Sequence, residues 1–252
     1  MPIDYTNYLK TCKWASEDEK SFQNFRRDSF YNVVIEHVGY QLGLDYLIHA
    51  IKQTPELLKY ADNFIKSENI GNPVIYYYDI MQNYLSPTTC RYIKVLSDLI
   101  KLFGSLDNID IVEIGGGYGG QCKIIHDVFK PKTYTIIDLD YAMKLAKRFL
   151  DYFNIKPIFR TVTDINVKSY DLCISNYAFS ELDRSYQDFY AEKIIKLSKK
   201  GYMTCNLMGL RDREGAFTTD ELKSLKENSE ILPEVPKSFN NNLIFIWNHI
   251  AR

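Results

Sequence analysis

The sequence contains no CxxC pair. Its five cysteines (Cys12, Cys90, Cys122, Cys173 and Cys205) lie far apart, mostly in apolar runs, which excludes a disulfide framework and points to buried thiols in a reducing compartment. Charge of one sign is also missing: the formal net charge is −1, so nucleic acid has no electrostatic footprint to meet. No apolar run approaches the ~18 residues that cross a bilayer. The stretch MPIDYTNYLK lacks a basic leader ahead of an apolar segment, so no signal peptide is expected and a cytoplasmic location is. There is no internal repeat or low-complexity linker. Glycine is scarce, 12 in 252 residues, yet five of them crowd into positions 115–120.

What is present has the balance of a globular protein, with 46% hydrophobic residues. The first hundred residues read as helical. Ser16 and Glu19 have capping-box spacing. Thr54-Pro55 and Ser86-Pro87 each pair an N-cap residue with proline at the first helical position. After Ser86, Ile93, Leu96, Ile100 and Phe103 keep helical spacing, and Gly104 is a stop. Between these helices, IGNPVIYYYDIMQNYL is aromatic and broken by Gly and Pro, with no clear period. Its tyrosines suit either packing or stacking on a ring-shaped ligand.

From Asp107 the pattern changes to alternating strands and helices. IDIVEI (109–114), TYTIID (133–138), PIFRTV (157–162), YDLCIS (170–175) and GYMTCNL (201–207) read as strands. QCKIIHDVF, YAMKLAKRFLDYF and a segment near 186–199 read as the intervening helices. Thr218 and Glu221 form a capping box, and EILPEV and NNLIFIW are two further β-like runs. Such alternation predicts an α/β fold with a parallel sheet covered on both faces. Right-handed crossovers then gather the loops after the strands on one ligand-binding edge.

Gly115, Gly117 and Gly120 fit G-x-G-x-x-G, a weak signal by itself. Glycines between strand and helix permit a tight turn and let a ligand lie on bare backbone. A dinucleotide would place its pyrophosphate on the following helix N-terminus. S-adenosylmethionine carries no phosphate but has an ammonium group, and Glu113, two residues ahead of the glycines, is an acceptor for it. Asp138, at the end of the second strand, is placed for the two ribose hydroxyls of either cofactor. Asp164, after the third strand, is placed for an adenine amino group or, equally, for a turn. Little chain remains for the substrate domain of a dehydrogenase, so the sulfonium cofactor is favoured over NAD.

The blocks EIGGGYGGQ, YTIIDLD, SNYAFSELD and SPTTCRYIKVLSDLIKLFG together resemble the sugar O-methyltransferases of surface-polysaccharide gene clusters, over roughly residues 86–207. The resemblance implies a Rossmann-like class I methyltransferase fold, with a mostly parallel seven-stranded sheet and helices on both faces. Residues 86–252 would form that domain and residues 1–85 an N-terminal helical cap. It also implies S-adenosylmethionine as donor and a sugar hydroxyl, on a nucleotide-activated sugar, as acceptor. Glu113, Gly115, Gly117, Tyr118, Gly119 and Asp138, with Leu139 beside it, carry over as cofactor contacts. Arg91 would reach the cofactor carboxylate or the substrate. Asp140 departs from the pattern, which has proline after Leu139.

The loop after the fourth strand opens beside the transferable methyl group in such sheets. Glu181 is therefore the candidate base, Tyr177 shapes the methyl pocket, Asn176 touches the cofactor and Asn206 faces the sugar. The alternative makes Ser180 a helix N-cap and Glu181 a first-turn charge. His249, after the last β-like run, is the reserve base. Asp164, Glu181 and Asp183 are oxygen donors that Mg²⁺ accepts, but no spacing requires a metal, and none is assigned. The expected partner is a sugar or nucleotide sugar, with no nucleic acid and no membrane insertion; a homodimer remains open. Three alternatives also remain open: a methyltransferase with a non-sugar acceptor, a catalytically silent adenosine-binding module and an NAD-dependent oxidoreductase.

Overall fold

The computed structural model describes residues 5–165, 168–206 and 216–250. The chain divides into two units. One comprises Met1–Lys101, Gly117–Lys130 and Leu139–Lys156; it is called the helical unit. The other comprises Leu102–Gly116, Pro131–Asp138 and Pro157–Arg252 and is called the sheet unit.

In the helical unit, Tyr5–Glu17 packs along Asp140–Asp151. Arg148 ties the two by donating to the carbonyl oxygens of Ala15 and Asp18, at 3.0 and 3.1 Å. The first helix runs through Ser16, so the capping role expected there falls instead to Asp18, whose carboxylate accepts from Ser21 N at 2.7 Å. Thr54 precedes a 3₁₀ segment, Pro55–Tyr60, and turns its hydroxyl to Ser97 Oγ rather than to the helix start. Ser86 does cap, accepting from Thr89 N, at the head of the helix Pro87–Phe103. The aromatic segment between them forms a hairpin of β1 (Tyr76–Tyr78) and β2 (Asn83–Leu85). At its tip, Gln82 takes a left-handed φ of 49°.

The sheet unit contains seven strands: β3 (Asp110–Ile114), β4 (Thr133–Ile137), β5 (Ile158–Arg160), β6 (Leu172–Asn176), β7 (Lys200–Asn206), β8 (Ser229–Pro233) and β9 (Asn242–Trp247). Their order is β5-β4-β3-β6-β7-β9-β8. Neighbours pair in parallel from β5 to β7, while β9 runs antiparallel to both β7 and β8. This order, with one reversed strand next to the edge, is that of a Rossmann-like class I methyltransferase sheet. The chain winds outward from β3 through β4 to β5, then restarts at β6 on the other side, so β3 and β6 flank the point where strand order reverses.

Alternation along the strands places Val112, Ile114, Cys173, Met203, Cys205, Phe245 and Trp247 on one buried face. There they pack with Phe179, Tyr190, Ile194 and Leu222 from helices that follow β6 and β7. Gly201 is required by this packing, since a Cβ there would lie 2.0 Å from the Trp247 ring. The opposite face is buried too, through Ile111, Glu113, Ile136, Ile174, Tyr202 and Ile246. Burial of both faces explains why these strands read as continuous apolar runs. Thr218 and Glu221 make the expected capping box, with Glu221 N donating to Thr218 Oγ1 at 3.2 Å. All five cysteines are buried free thiols. Among the described residues no helix is long and apolar enough to cross a membrane.

Candidate functional site

The carboxyl end of β3 leads into the glycine turn. Gly115 has φ +75°, and its N–H donates to Ile137 O at 2.8 Å, which ties the turn to the end of β4. A Cβ at Gly115 would stand 2.0 Å from that of Ala178, in the segment leaving β6. Only glycine allows both the left-handed backbone and this approach. Glu113 is 1% exposed, and its Oε2 accepts from the Tyr134 hydroxyl at 2.7 Å, the single donor it has among the described residues. Burial pushes its carboxyl up to about 7; the Tyr134 hydrogen bond opposes this and the nearby Asp138 charge adds to it. Asp138 follows β4 directly and is half-buried. Two acids thus end neighbouring strands on the edge where α/β sheets bind ligands.

Next along this edge, β6 ends at Asn176, and Tyr177 follows with φ 70° and ψ −35°. That backbone conformation is strained for a residue with a side chain and costs about 1–3 kcal/mol. Its neighbours hold it: Tyr177 N donates to Thr204 O at 2.8 Å, and Ser180 Oγ donates to Tyr177 O at 2.7 Å. Ser180 also accepts from Asn206 N at 2.9 Å, so it fastens the loop to the end of β7 rather than capping a helix. Ser175 fastens the other side by donating to Ile114 O and accepting from Phe179 N. Glu181 closes the short helix Ala178–Glu181, half-buried.

The sequence reading missed two residues that meet Tyr177, and a third, Asn242, that meets both of them. The Tyr177 phenol donates to Glu234 Oε1 at 2.5 Å and lies 3.2 Å from Ser238 Oγ. Glu234, 2% exposed, also accepts from Ser238 N (3.0 Å), Ser238 Oγ (2.6 Å) and Asn242 Nδ2 (3.1 Å). Glu234 follows β8 and Asn242 opens β9. Because β9 is antiparallel, its first residue lies opposite Asn206, the last of β7. The signal in the sequence was an acid at the end of a β-like run, but its value depended on the direction of β9.

The same register carries His249 away. Trp247 pairs with Gly201 at the start of β7, so the chain after β9 emerges at the opposite end of the strands from Asn206. There His249 Nε2 faces Glu230 Oε1 at 3.2 Å. The structure does not bring this reserve base to the carboxyl edge. Asp164 is exposed and closes a turn, accepting from Thr161 N at 2.5 Å and Thr161 Oγ1 at 2.9 Å. Asp183 is exposed at the start of Arg184–Tyr190. Among the described residues no group of three His, Cys, Asp or Glu is placed to hold a metal ion.

The remaining sequence candidates belong to the helical unit. Gly117 and Gly119 have φ +55° and +86°, and Gly119 precedes the helix Gly120–His126. Tyr118 is 1% exposed, its ring edge-on to Phe25, Tyr92 and Phe149 and beneath the Arg26 guanidinium. Arg91 is 7% exposed and donates to Ile35 O at 3.3 Å. Leu139 is half exposed.

No protein-family model and no curated protein matches the sequence. Solved structures resemble it. A Thermoplasma acidophilum protein is 18% identical, covering 77% of this chain and 98% of its own, with a TM-score of 0.48. An S-adenosylmethionine-dependent methyltransferase from Clostridium acetobutylicum is 11% identical, covering 60% and 87%, with a TM-score of 0.46. The N-methyltransferase NodS from Bradyrhizobium japonicum, in complex with S-adenosyl-L-homocysteine, is 15% identical, covering 64% and 86%, with a TM-score of 0.47. At this level of likeness no activity carries over from them.

Proposed function

We propose that this chain is an S-adenosylmethionine-dependent O-methyltransferase whose acceptor is a sugar hydroxyl, on a nucleotide-activated sugar. The observation that carries the reading is the pair of acids, Glu113 and Asp138, closing adjacent parallel strands beside the Gly115 turn. Glu113 is a buried carboxyl with one donor and a like-charged neighbour, and a cationic ligand would relieve that arrangement. The ammonium and sulfonium groups of S-adenosylmethionine supply positive charge, and Asp138 suits its ribose diol. A dinucleotide pyrophosphate would instead add negative charge to an edge that already holds two acids. When bound, S-adenosylmethionine offers an electrophilic methyl carbon on positively charged sulfur. The chain's own contribution is alignment and exclusion of water, worth up to ~7–11 kcal/mol when reacting atoms are fixed.

The sugar acceptor is supported by the sequence resemblance at SNYAFSELD, which holds Asn176, Tyr177 and Glu181, and by Asn206 at the end of the neighbouring strand β7. Calorimetry with S-adenosylmethionine and with NAD tests the donor: binding of the first with proton uptake or release near pH 7 is expected. Tight NAD binding with no binding of S-adenosylmethionine overturns the reading. Transfer of labelled methyl to UDP-, GDP- and dTDP-hexoses, compared with phenols and lipids, tests the acceptor. Transfer only to the latter overturns the sugar assignment and leaves the donor standing.

A further inference from the structure

The four groups around buried Glu234 form a partly exposed polar network that neither the glycine turn nor the strand order requires. Its carboxylate accepts four hydrogen bonds: from the Tyr177 phenol, the Ser238 amide, the Ser238 hydroxyl and the Asn242 side-chain amide. Asn242 spends both amide hydrogens inwardly, the second on Ser238 Oγ at 2.8 Å. Its Oδ1, in a residue 8% exposed, has no hydrogen-bond partner among the described residues. A carboxylate with so many donors is fixed in place. Such a network also dictates the direction of the phenol proton, which lies toward Glu234. The Tyr177 oxygen therefore presents lone pairs, not a proton, to an arriving hydroxyl. The backbone strain at Tyr177 shows that neighbouring structure over-determines where this phenol stands.

Resting on the methyltransferase reading above, we propose that Tyr177 is the catalytic residue that receives the acceptor's proton, and that Glu234 is the positioning residue behind it. An acceptor hydroxyl that donates to Tyr177 Oη turns an oxygen lone pair toward the methyl donor. That lone pair forms the new carbon–oxygen bond as the carbon–sulfur bond breaks, its electron pair passing to sulfur to leave a neutral thioether. The acceptor proton moves to Tyr177 Oη while the tyrosine's own proton moves to Glu234 Oε1, which later releases it to solvent. An oxygen that has gained a methyl group while still protonated is strongly acidic, so the relay needs direction more than basicity. This geometry replaces Glu181, half-buried at the end of its short helix, as the group that handles the proton.

The test compares wild type, Glu234→Gln, Tyr177→Phe and the double variant in the full chain. It measures the S-adenosylmethionine Kd, the thermal midpoint, and label transfer to UDP-, GDP- and dTDP-hexoses. The expected result is a 10²–10³-fold fall in kcat for each single variant, within the range for a positioned proton acceptor. KM and the donor Kd should stay within threefold, and the double variant should lose no more than either single one, because the two act as a unit. Tyr177→Phe keeps three of the four donors to Glu234, so it carries the test if Glu234→Gln does not fold. A kcat within threefold of wild type in Tyr177→Phe overturns the assignment, as does an additive loss accompanied by a weakened donor Kd. Wild type that binds no donor, or methylates none of the hexoses, overturns the underlying reading and this one with it; active wild type with unaffected variants overturns this one alone.

Discussion

Both units bury charged side chains, and two of these, Arg26 and Glu113, are treated in opposite ways. In the helical unit Arg26 is fully buried, yet each nitrogen of its guanidinium has a partner. Glu36 lies at 2.6 Å, Glu68 at 3.1 Å, Ser86 Oγ at 2.7 Å and Ser67 O at 3.2 Å. Burial opposes its charge, but Glu36, Tyr118 and Glu68 outweigh that and hold it protonated. In the sheet unit Glu113 is as deeply buried but has one phenol donor and a repelling carboxylate, Asp138, close by. A satisfied buried charge fixes structure; an under-satisfied one is kept at a cost, and such groups gather where ligands bind. The contrast predicts that removing the first destabilises the protein and removing the second stabilises it.

The largest effect belongs to Arg26. Arg26→Met leaves Glu36 and Glu68 facing each other without their shared cation, and breaking a buried pair from one side costs about 3–5 kcal/mol. Denaturant unfolding of the variant should show a loss of that size. A loss below 1 kcal/mol would erase the contrast, because the guanidinium would then be as dispensable as a surface charge.

Arg26 also shows where the sequence stops being legible. Nothing in FQNFRRDSF marks this arginine as the hub for Glu36, Glu68 and Ser86, which are brought to it by helix packing across sixty residues. Elements written locally were readable: the apolar runs of β3, β4, β6 and β7, the Ser86 and Thr218 caps, and the glycine turn with Glu113 ahead of it and Asp138 one strand away. Those depend on period, caps and backbone freedom, all of which lie within a few residues. The Glu234 network was hidden because it depends on β9 being antiparallel, and no period records strand direction. The same blindness attached His249 to the wrong end of the strands. The hairpin Tyr76–Leu85 escaped because its turn lacks an Asn-Gly or Asp-Gly signal and instead uses Gln82 at positive φ.

The second effect has the opposite sign. The Glu113 carboxyl titrates at about 7 in the folded chain against 4.5 in the unfolded one. Between those values the folded state holds a proton that the unfolded state has released. Stability from this group is therefore greatest below pH 4.5, falls as pH rises toward 7 and stays low above it. The shift corresponds to on the order of 3 kcal/mol. Glu113→Gln should remove the slope, so that at pH 8 the variant is more stable than wild type by up to that amount while at pH 4.5 the two agree. Its affinity for S-adenosylmethionine should fall about tenfold or more, since hydrogen bonds to charged groups contribute ~1.5–3 kcal/mol. Paired unfolding curves at the two pH values and calorimetry read both. A variant less stable than wild type at pH 8 would place Glu113 beside Arg26 as a structural charge.

The smallest effect probes the single donor. Tyr134→Phe removes the hydroxyl that Glu113 accepts from and leaves the ring. The loss depends on pH because a stranded carboxylate can take up a proton instead of staying charged. Taking up that proton at pH 8, against a carboxyl that titrates at about 7, costs wild type about 1.4 kcal/mol, which caps what the missing hydrogen bond can do to the ionised form. At pH 5 the carboxyl is already protonated, and only the weaker neutral hydrogen bond is lost. Unfolding at both pH values should therefore show a deficit at pH 8 that exceeds the one at pH 5 by no more than about 1.4 kcal/mol. Equal deficits would make Tyr134 a packing residue. A larger difference would mean that Glu113 cannot reach a proton even when charged, and that its burial matches that of Arg26 in kind.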